Sequence, residues 1–304
     1  MPFASVINVL LALLLAPLLP GVINRVKAFF AGRHGQPLLQ PYHDILKLLR
    51  KGAVYSRTTS WVFRAGPVLG LAAAMVSLTV LPLGGSPAVL AFPGDLLLFA
   101  YLLGLMRFVT MTAALDTGSA FESMGASREA WFAMLAEPAL LLGLAALAVH
   151  TGSLSLSGML DGLALAEIGG PGAPLLLLVA VAFGIVLLTE NARIPVDDPN
   201  THLELTMIHE VMVLDHGGVD FGFIQYAACL KLWALAALLT GVLLPPLSGW
   251  RPADMALGVA LILAVAVMVG VIESVMARLK LARVPQLLVA ASVLSVLALA
   301  LVLR

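Results

Sequence analysis

Residues 173–190 read APLLLLVAVAFGIVLLTE, an apolar run whose only charged side chain is its last, Glu190. As a helix, a run of this length extends about 27 Å, close to the roughly 30 Å hydrocarbon core of a bilayer. Backbone groups that face lipid must be hydrogen-bonded within their own segment, which a helix achieves. This stretch therefore predicts a membrane-spanning helix and decides the fold class.

Similar runs recur along the 304 residues, of which 61% are hydrophobic and only 11% are charged. An ordinary soluble domain carries about a quarter charged residues. We therefore predict an all-α, polytopic membrane protein whose single membrane domain covers residues 1–304. Its eight predicted spans are about 3–24, 62–83, 91–112, 131–150, 173–190, 223–244, 254–277 and 284–303.

The basic residues predict the orientation. With the N-terminus outside, every lysine and arginine that lies outside the spans falls on the cytoplasmic side, except Arg251 and Arg304. This is the asymmetry of the positive-inside rule. No basic residue precedes the first apolar stretch, so we expect an uncleaved first span and not a signal peptide. The two long cytoplasmic loops are then residues 31–60 and 191–222.

The composition argues against several kinds of site. Cys229 is the only cysteine, so neither a disulfide within the chain nor a cysteine-ligated iron–sulfur cluster is expected. The six histidines fall in loops or at span ends, which disfavours a haem held between two spans. The formal net charge is zero, and nothing indicates nucleic-acid binding.

The first cytoplasmic loop contains an amphipathic stretch, residues 42–51. Isoleucine and leucine side chains lie on one side of the predicted helix, and Asp44, Lys47 and Lys51 lie on the other. Two interpretations fit: a helix in the lipid interface, or a docking surface for a soluble partner.

The second cytoplasmic loop is dense in ionisable groups. Thr201 and Glu204 have the spacing of a capping box, which predicts a helix from there to the glycines at 217 and 218. On that helix Glu204 points away from His202 and His209, so a metal site is geometrically poor. Arg193, three residues after Glu190, is spaced for an ion pair on one helical turn. The ionisable residues of this loop are Glu190, Arg193, Asp197, Asp198, His202, Glu204, His209, Glu210, Asp215, His216 and Asp220.

Charged residues also lie within the predicted spans, where a charge at the helix centre costs at least about 2.5–3.5 kcal/mol. Asp95 starts its span and is expected near the outer surface. Arg107, Glu137, Lys231 and Glu273 lie at similar depths towards the cytoplasm. They predict either a hydrated pathway along which protons exchange, or salt bridges that hold the helices together.

Three patches resemble the family that comprises the H-type membrane protein of respiratory complex I and its relatives in group 4 nickel–iron hydrogenases. The patches are Gln40–Lys51, Gly125–Pro138 and Glu190–Asp197, the last reading ENARIPVD. The quinone-reducing branch has Pro-Phe-Asp-Leu followed by a Glu-Ala-Glu run, whereas this chain has Pro195-Val-Asp-Asp and then PNTHLELTMIHE. That version resembles formate hydrogenlyase subunit 4 and hydrogenase-4 component C.

The resemblance implies a non-catalytic subunit of an oxidoreductase complex in a prokaryotic cell membrane. It would dock a soluble arm of hydrogenase large-subunit-like, small-subunit-like and iron–sulfur proteins, and join it to antiporter-like membrane subunits. The nickel–iron centre and iron–sulfur clusters would belong to those partners, with no cofactor or metal in this chain. A quinone-reductase subunit, a freestanding ion transporter and a purely structural anchor are the alternatives.

Residue roles follow from the resemblance and from the intramembrane charges. Residues expected in proton transfer or coupling are Glu137, Glu190, Arg193, Asp197, Asp198, Glu204, Glu210, Arg107, Lys231 and Glu273. Residues expected in partner docking are Asp44, Lys47, Arg50, Lys51, His202 and His209.

Overall fold

The computed structural model describes residues 2–163, 170, 172–197, 207–244 and 250–304. In these ranges the regular structure is helical, which confirms the predicted all-α fold class. The helices are α1 (Pro2–Leu15), α2 (Leu18–Phe30), α3 (Gln40–Leu49), α4 (Trp61–Thr79), α5 (Asp95–Asp116), α6 (Ala120–Thr151), α7 (Leu156–Gly162), α8 (Ala173–Glu190), α9 (Gly218–Leu243), α10 (Arg251–Val275) and α11 (Val284–Val302).

Seven of the described helices are long and apolar enough to cross a membrane. The bent pair α1 and α2 brings the number of spans to eight if the pair crosses as one. The chain is therefore a multi-pass membrane protein, as the apolar runs predict. Its orientation, with the N-terminus outside, stays a prediction, and so does the single membrane domain.

The first predicted span is broken by a 46° bend between α1 and α2. Pro17 lies in the break and has no N–H to donate to the carbonyl of Leu13. Two tyrosines from distant segments donate hydrogen bonds to the backbone carbonyls at this break. The hydroxyl of Tyr226 donates to Leu13 O at 2.8 Å, and that of Tyr42 donates to Leu14 O at 2.5 Å. The carbonyls of Leu13 and Leu14 at the bend are thereby hydrogen-bonded by side chains of α9 and α3.

Two helix boundaries near the cavity-lining loop of residues 207–217 differ from the sequence prediction. Helix α6 starts at Ala120 and not near residue 131, so about three additional turns precede the predicted span. The helix predicted from Thr201 to the glycines is wrong for the described residues 207–217, which form only a short 3-10 turn, Glu210–Val213. The reason is that Asp197 and Glu122 accept hydrogen bonds from the backbone of this loop.

Helix α9 forms the centre of the bundle. Its most apolar stretch is 78% buried within the protein, a larger share than in any other described spanning helix. Trp233 of α9 is among the largest fully buried side chains. Helices α3, α4, α8 and α10 pack around α9, and α6 packs along α11. Charged residues on α9 consequently face protein and not lipid.

Asp95, at the start of α5, accepts hydrogen bonds from the segment that follows α6. Helix α7 lies in this segment and buries Leu156 and Met159. The Asp95 carboxylate accepts the backbone N–H of Leu156 at 2.6 Å and the hydroxyl of Ser155 at 2.7 Å. Asp95 is fully buried within the protein at the first residue of α5, and its position near the outer surface of the membrane stays a prediction.

We expect Asp95→Ala to lower the free energy of unfolding by about 1–3 kcal/mol, because the buried N–H of Leu156 loses its acceptor. Asp161→Ala, in the same segment but exposed, is the matched control and should change it by less than about 0.5 kcal/mol. Denaturant unfolding of the purified protein in detergent measures both. Equal effects of the two substitutions on the free energy of unfolding would show that the hydrogen bonds of Asp95 do not stabilise the fold.

Candidate functional site

A cavity of about 380 Å³ lies beside the loop of residues 207–217. Its apolar wall includes Ile45, Pro67 and Phe221 from three different helices. Carboxylates and cations line the remainder, and there is room for several water molecules. The acidic and basic residues that line it are Asp44, Arg107, Glu129, Glu190, Arg193, His209, Glu210 and Lys231.

Four of the predicted coupling residues form one connected ion-pair chain. Arg107 of α5 donates from Nη1 to Glu190 Oε1 at 2.6 Å, and from Nη2 to the Glu137 carboxylate of α6. Lys231 Nζ of α9 lies 3.8 Å from the other oxygen of Glu190. Arg107, Glu190 and Lys231 are buried, whereas the Glu137 side chain is 49% exposed. This chain of ion pairs therefore runs from the cavity to the exposed face of α6.

Glu273, the fifth intramembrane charge, belongs to a separate cluster. Its carboxylate is fully buried and lies 2.8 Å from Lys27 Nζ and 3.4 Å from Arg193 Nη1. The predicted ion pair of Arg193 with Glu190 is not what forms. Helix α8 ends at Glu190, and Ala192 adopts a positive φ of 51°, so the chain turns before Arg193. Lys27 was not singled out from the sequence.

His209 lies in a third cluster, and its docking role stays a prediction. Its Nε2 is 3.2 Å from Glu129 Oε2, and its Nδ1 is 3.8 Å from Asp197 Oδ2. Asp197 Oδ1 is in turn 3.0 Å from Arg278 Nη2. Glu129 and Arg278 were missed as site residues. The only sequence signal for Glu129 was its place in the Gly125–Pro138 patch.

The third cluster shifts the protonation of its members. Burial alone would raise the pKa of Asp197, but His209, Arg278 and the N–H of Ile208 outweigh it and lower that pKa below its usual range. Burial alone would lower the pKa of His209, but the Glu129 and Asp197 carboxylates raise it to about 9. His209 is therefore a cation at neutral pH.

The predicted docking residues of α3 divide between cavity and surface. Asp44 accepts a hydrogen bond from Gln40 at 2.8 Å and lines the cavity. Lys47, Arg50 and Lys51 are exposed. The surface group is thus available to a partner or to lipid headgroups, whereas Asp44 belongs to the cavity wall.

Glu210 lines the cavity, while Asp198, His202 and Glu204 lie outside the described residues. In the part of the chain that the structure describes, no cluster of three or more histidine, cysteine, aspartate or glutamate residues could hold a metal ion. That the chain binds no metal stays a prediction.

Arg107→Gln should destabilise the fold by about 3–5 kcal/mol, since it leaves Glu190 and Glu137 without their shared guanidinium. Arg50→Gln removes an exposed arginine and serves as the control, with an expected change below about 0.5 kcal/mol. The midpoint of denaturant unfolding in detergent reports the difference. If the two variants unfold at the same midpoint, the ion-pair chain contributes nothing to stability.

Comparison with known proteins bears on the whole chain. The NADH dehydrogenase family matches residues 3–303. Formate hydrogenlyase subunit 4 of Escherichia coli strain K12 is 33% identical over 289 residues, covering 92% of each chain. Hydrogenase-4 component C of the same organism is 32% identical, over 77% of this chain and 72% of the relative.

A more distant relative is the H component of NADH-quinone oxidoreductase from Rubrobacter xylanophilus, 27% identical over 82% of this chain and 75% of its own length. Among solved structures, a chain of the membrane-bound sulfane sulfur reductase, an archaeal respiratory membrane complex, superposes with a TM-score of 0.82. It covers 97% of this chain and 98% of its own length at 22% identity, which shows a shared fold. With the family match and the 33% identical relative, the chain belongs to the NADH dehydrogenase family of multi-pass membrane subunits.

Proposed function

We propose that this chain is the membrane-anchoring and coupling subunit of an energy-converting hydrogenase or formate hydrogenlyase-type complex. It docks a soluble redox arm on the cytoplasmic loops and links electron transfer there to translocation of protons or sodium ions. The two relatives at 33% and 32% identity, formate hydrogenlyase subunit 4 and hydrogenase-4 component C, support this branch.

The observation that carries the proposal is the chain Glu137, Arg107, Glu190 and Lys231 beside the cavity. Salt bridges that only hold helices together would be expected to be enclosed on every side. Here Glu190 and Lys231, at one end of the chain, line a cavity with room for water, and Glu137, at the other end, is half exposed on a spanning helix. A charge facing lipid at that depth is costly. The arrangement favours a route for protons that leaves the subunit sideways, into a neighbouring membrane subunit.

The redox chemistry is assigned to partner subunits. Cys229, the only cysteine of the chain, is buried in α9 and cannot by itself ligate an iron–sulfur cluster. Electrons therefore pass through a soluble arm that carries nickel–iron and iron–sulfur centres. The exposed Lys47, Arg50 and Lys51, together with the second cytoplasmic loop, form the surface on which that arm docks.

Glu190→Gln and Glu137→Gln test the coupling role. Each should leave the complex assembled but slow proton translocation by on the order of a hundredfold, because an amide cannot exchange the proton that a carboxylate does. The measurement is hydrogenase activity and acidification of vesicles that contain the purified complex.

Asp161→Asn, on the opposite side of the bundle, is the control and should retain both activities. Full proton translocation in both glutamate variants would refute the pathway. Purification of the chain as a lone stable monomer, without hydrogenase-like subunits, would refute the assignment to a complex.

The cavity favours a second candidate, a quinone-reductase subunit. Its apolar wall and charged end suit an amphipathic molecule with a polar headgroup. The H component of NADH-quinone oxidoreductase is also a relative, at 27% identity. Reduction of a short-chain quinone by the purified complex, abolished by bulky substitution of Phe221 in the cavity wall, would favour this function over the first.

A further inference from the structure

The cytoplasmic loop beside the cavity is held along one face of α6. We call residues 120–130, the part of α6 that precedes the predicted span, the α6 extension, and residues 207–215 the strap. Arg128 Nη1 donates to Met207 O at 2.6 Å, and Glu122 Oε1 accepts the N–H of Asp215 at 3.0 Å. These contacts fix the two ends of the strap.

Between these ends the strap lies directly on the α6 extension. A Cβ on Gly125 would come within 2.3 Å of Val211 Cγ1 and 3.0 Å of Ile208 O. Glycine is therefore needed for the close approach. The strap also supplies His209, Glu210 and Met212 to the cavity wall. Its position against α6 consequently sets the shape of the cavity.

The ionic contact in the middle of the strap is the imidazole of His209, held between Glu129 of the α6 extension and Asp197. Asp197 Oδ2 also accepts the backbone N–H of Ile208 at 3.1 Å and of His209 at 3.3 Å. A single carboxylate therefore binds both the backbone and the side chain of the strap, and a second binds it to α6.

We propose that His209 is a positioning residue whose imidazolium clips the strap to the α6 extension and holds the Glu129 carboxylate ionised at the cavity wall. The clip itself is a property of the fold, and its effect on ion translocation rests on the proposed function. The sequence assigned His209 to partner docking, and the proposal replaces that role with an internal one.

The charges around His209 decide the sign of its pH dependence. Burial opposes its charge and Lys231 repels it, but Glu129 and Asp197 outweigh both and raise the pKa from 6.5 to about 9. A raised pKa means that the clip is fully formed below about pH 6.5 and is lost as the pH rises through about 9. The described charged groups that face this cluster are Glu129, Arg107, Asp197, Arg278 and Lys231.

His216 provides a matched control within the same loop. Its ring stacks on Phe63 with centroids 3.9 Å apart, and burial lowers its pKa to about 4 despite Asp220 and Asp215. It is therefore neutral at neutral pH, where His209 is charged. Replacing His216 removes packing and leaves the charge of the loop at neutral pH unchanged.

The clip is tested by hydrogen–deuterium exchange of residues 207–215 in the assembled complex, as protection factors between pH 6 and 10. In the unsubstituted protein we expect protection to fall about tenfold or more as the pH rises through about 9. His209→Gln should show the low protection at every pH. His209→Lys, with an ordinary amine pKa of about 10.4, should keep protection beyond pH 9.

Protection in the unsubstituted protein that does not change across pH 9 would overturn the proposal, even if His209→Gln fails to assemble. Equal protection in His209→Gln and the unsubstituted protein would overturn it as well. His216→Gln should keep the fall in protection near pH 9. Loss of that fall in His216→Gln would show that His216, and not His209, is the titrating group.

Proton translocation in vesicles separates this proposal from the proposed function. If proton translocation falls together with the protection of the strap, and His209→Lys restores translocation above pH 9, both the clip and the coupling role are supported. Strap protection that follows the expected pattern while the purified complex supports no ion translocation leaves the clip standing and refutes the coupling role.

Discussion

The Arg107 guanidinium between Glu190 and Glu137 is the interaction on which the arrangement of this protein depends. A charged group in the bilayer interior is tolerated only where a partner and surrounding protein replace water. Arg107, Glu190 and Lys231 lie on three different helices, and each is buried. Pairing them fixes the relative depth and rotation of α5, α8 and α9. Through Glu137 the same guanidinium also fixes α6, whose apolar side chains alone could pack in several registers.

The position of the loop of residues 207–215 follows from this arrangement. Once α6 and α8 are in place, the three-turn extension of α6 stands beside the loop that leaves α8. Glu122, Arg128 and Glu129 then bind the backbone and side chains of residues 207–215. The loop becomes part of a cavity wall that is shared with the buried charges. The loop is in this way connected, through a few contacts, to the buried charges of the spanning helices.

A division of labour between subunits is consistent with these features. The chain offers paired charges, a cavity and a positioned loop, and it contains a single, buried cysteine. Its relatives are components of formate hydrogenlyase, hydrogenase-4 and NADH-quinone oxidoreductase, which act on different substrates. On the proposed function, a membrane subunit that leaves electron transfer to its neighbours and handles charge movement could serve such different donors with little change to its fold.

The sequence by itself determined the all-α, multi-pass fold class, because an apolar run long enough to cross a bilayer is a local property. It also indicated which charges matter, since a charge within such a run is costly wherever it lies. Only the tertiary structure decided the partners: Arg107 and Glu190 are 83 residues apart, and Arg193 turns away from Glu190 towards Glu273. The helix predicted up to residue 217 is wrong for the same reason. Glu122, Arg128 and Glu129 of α6 bind that loop, as does Asp197. No local sequence pattern predicts which distant side chains will contact it.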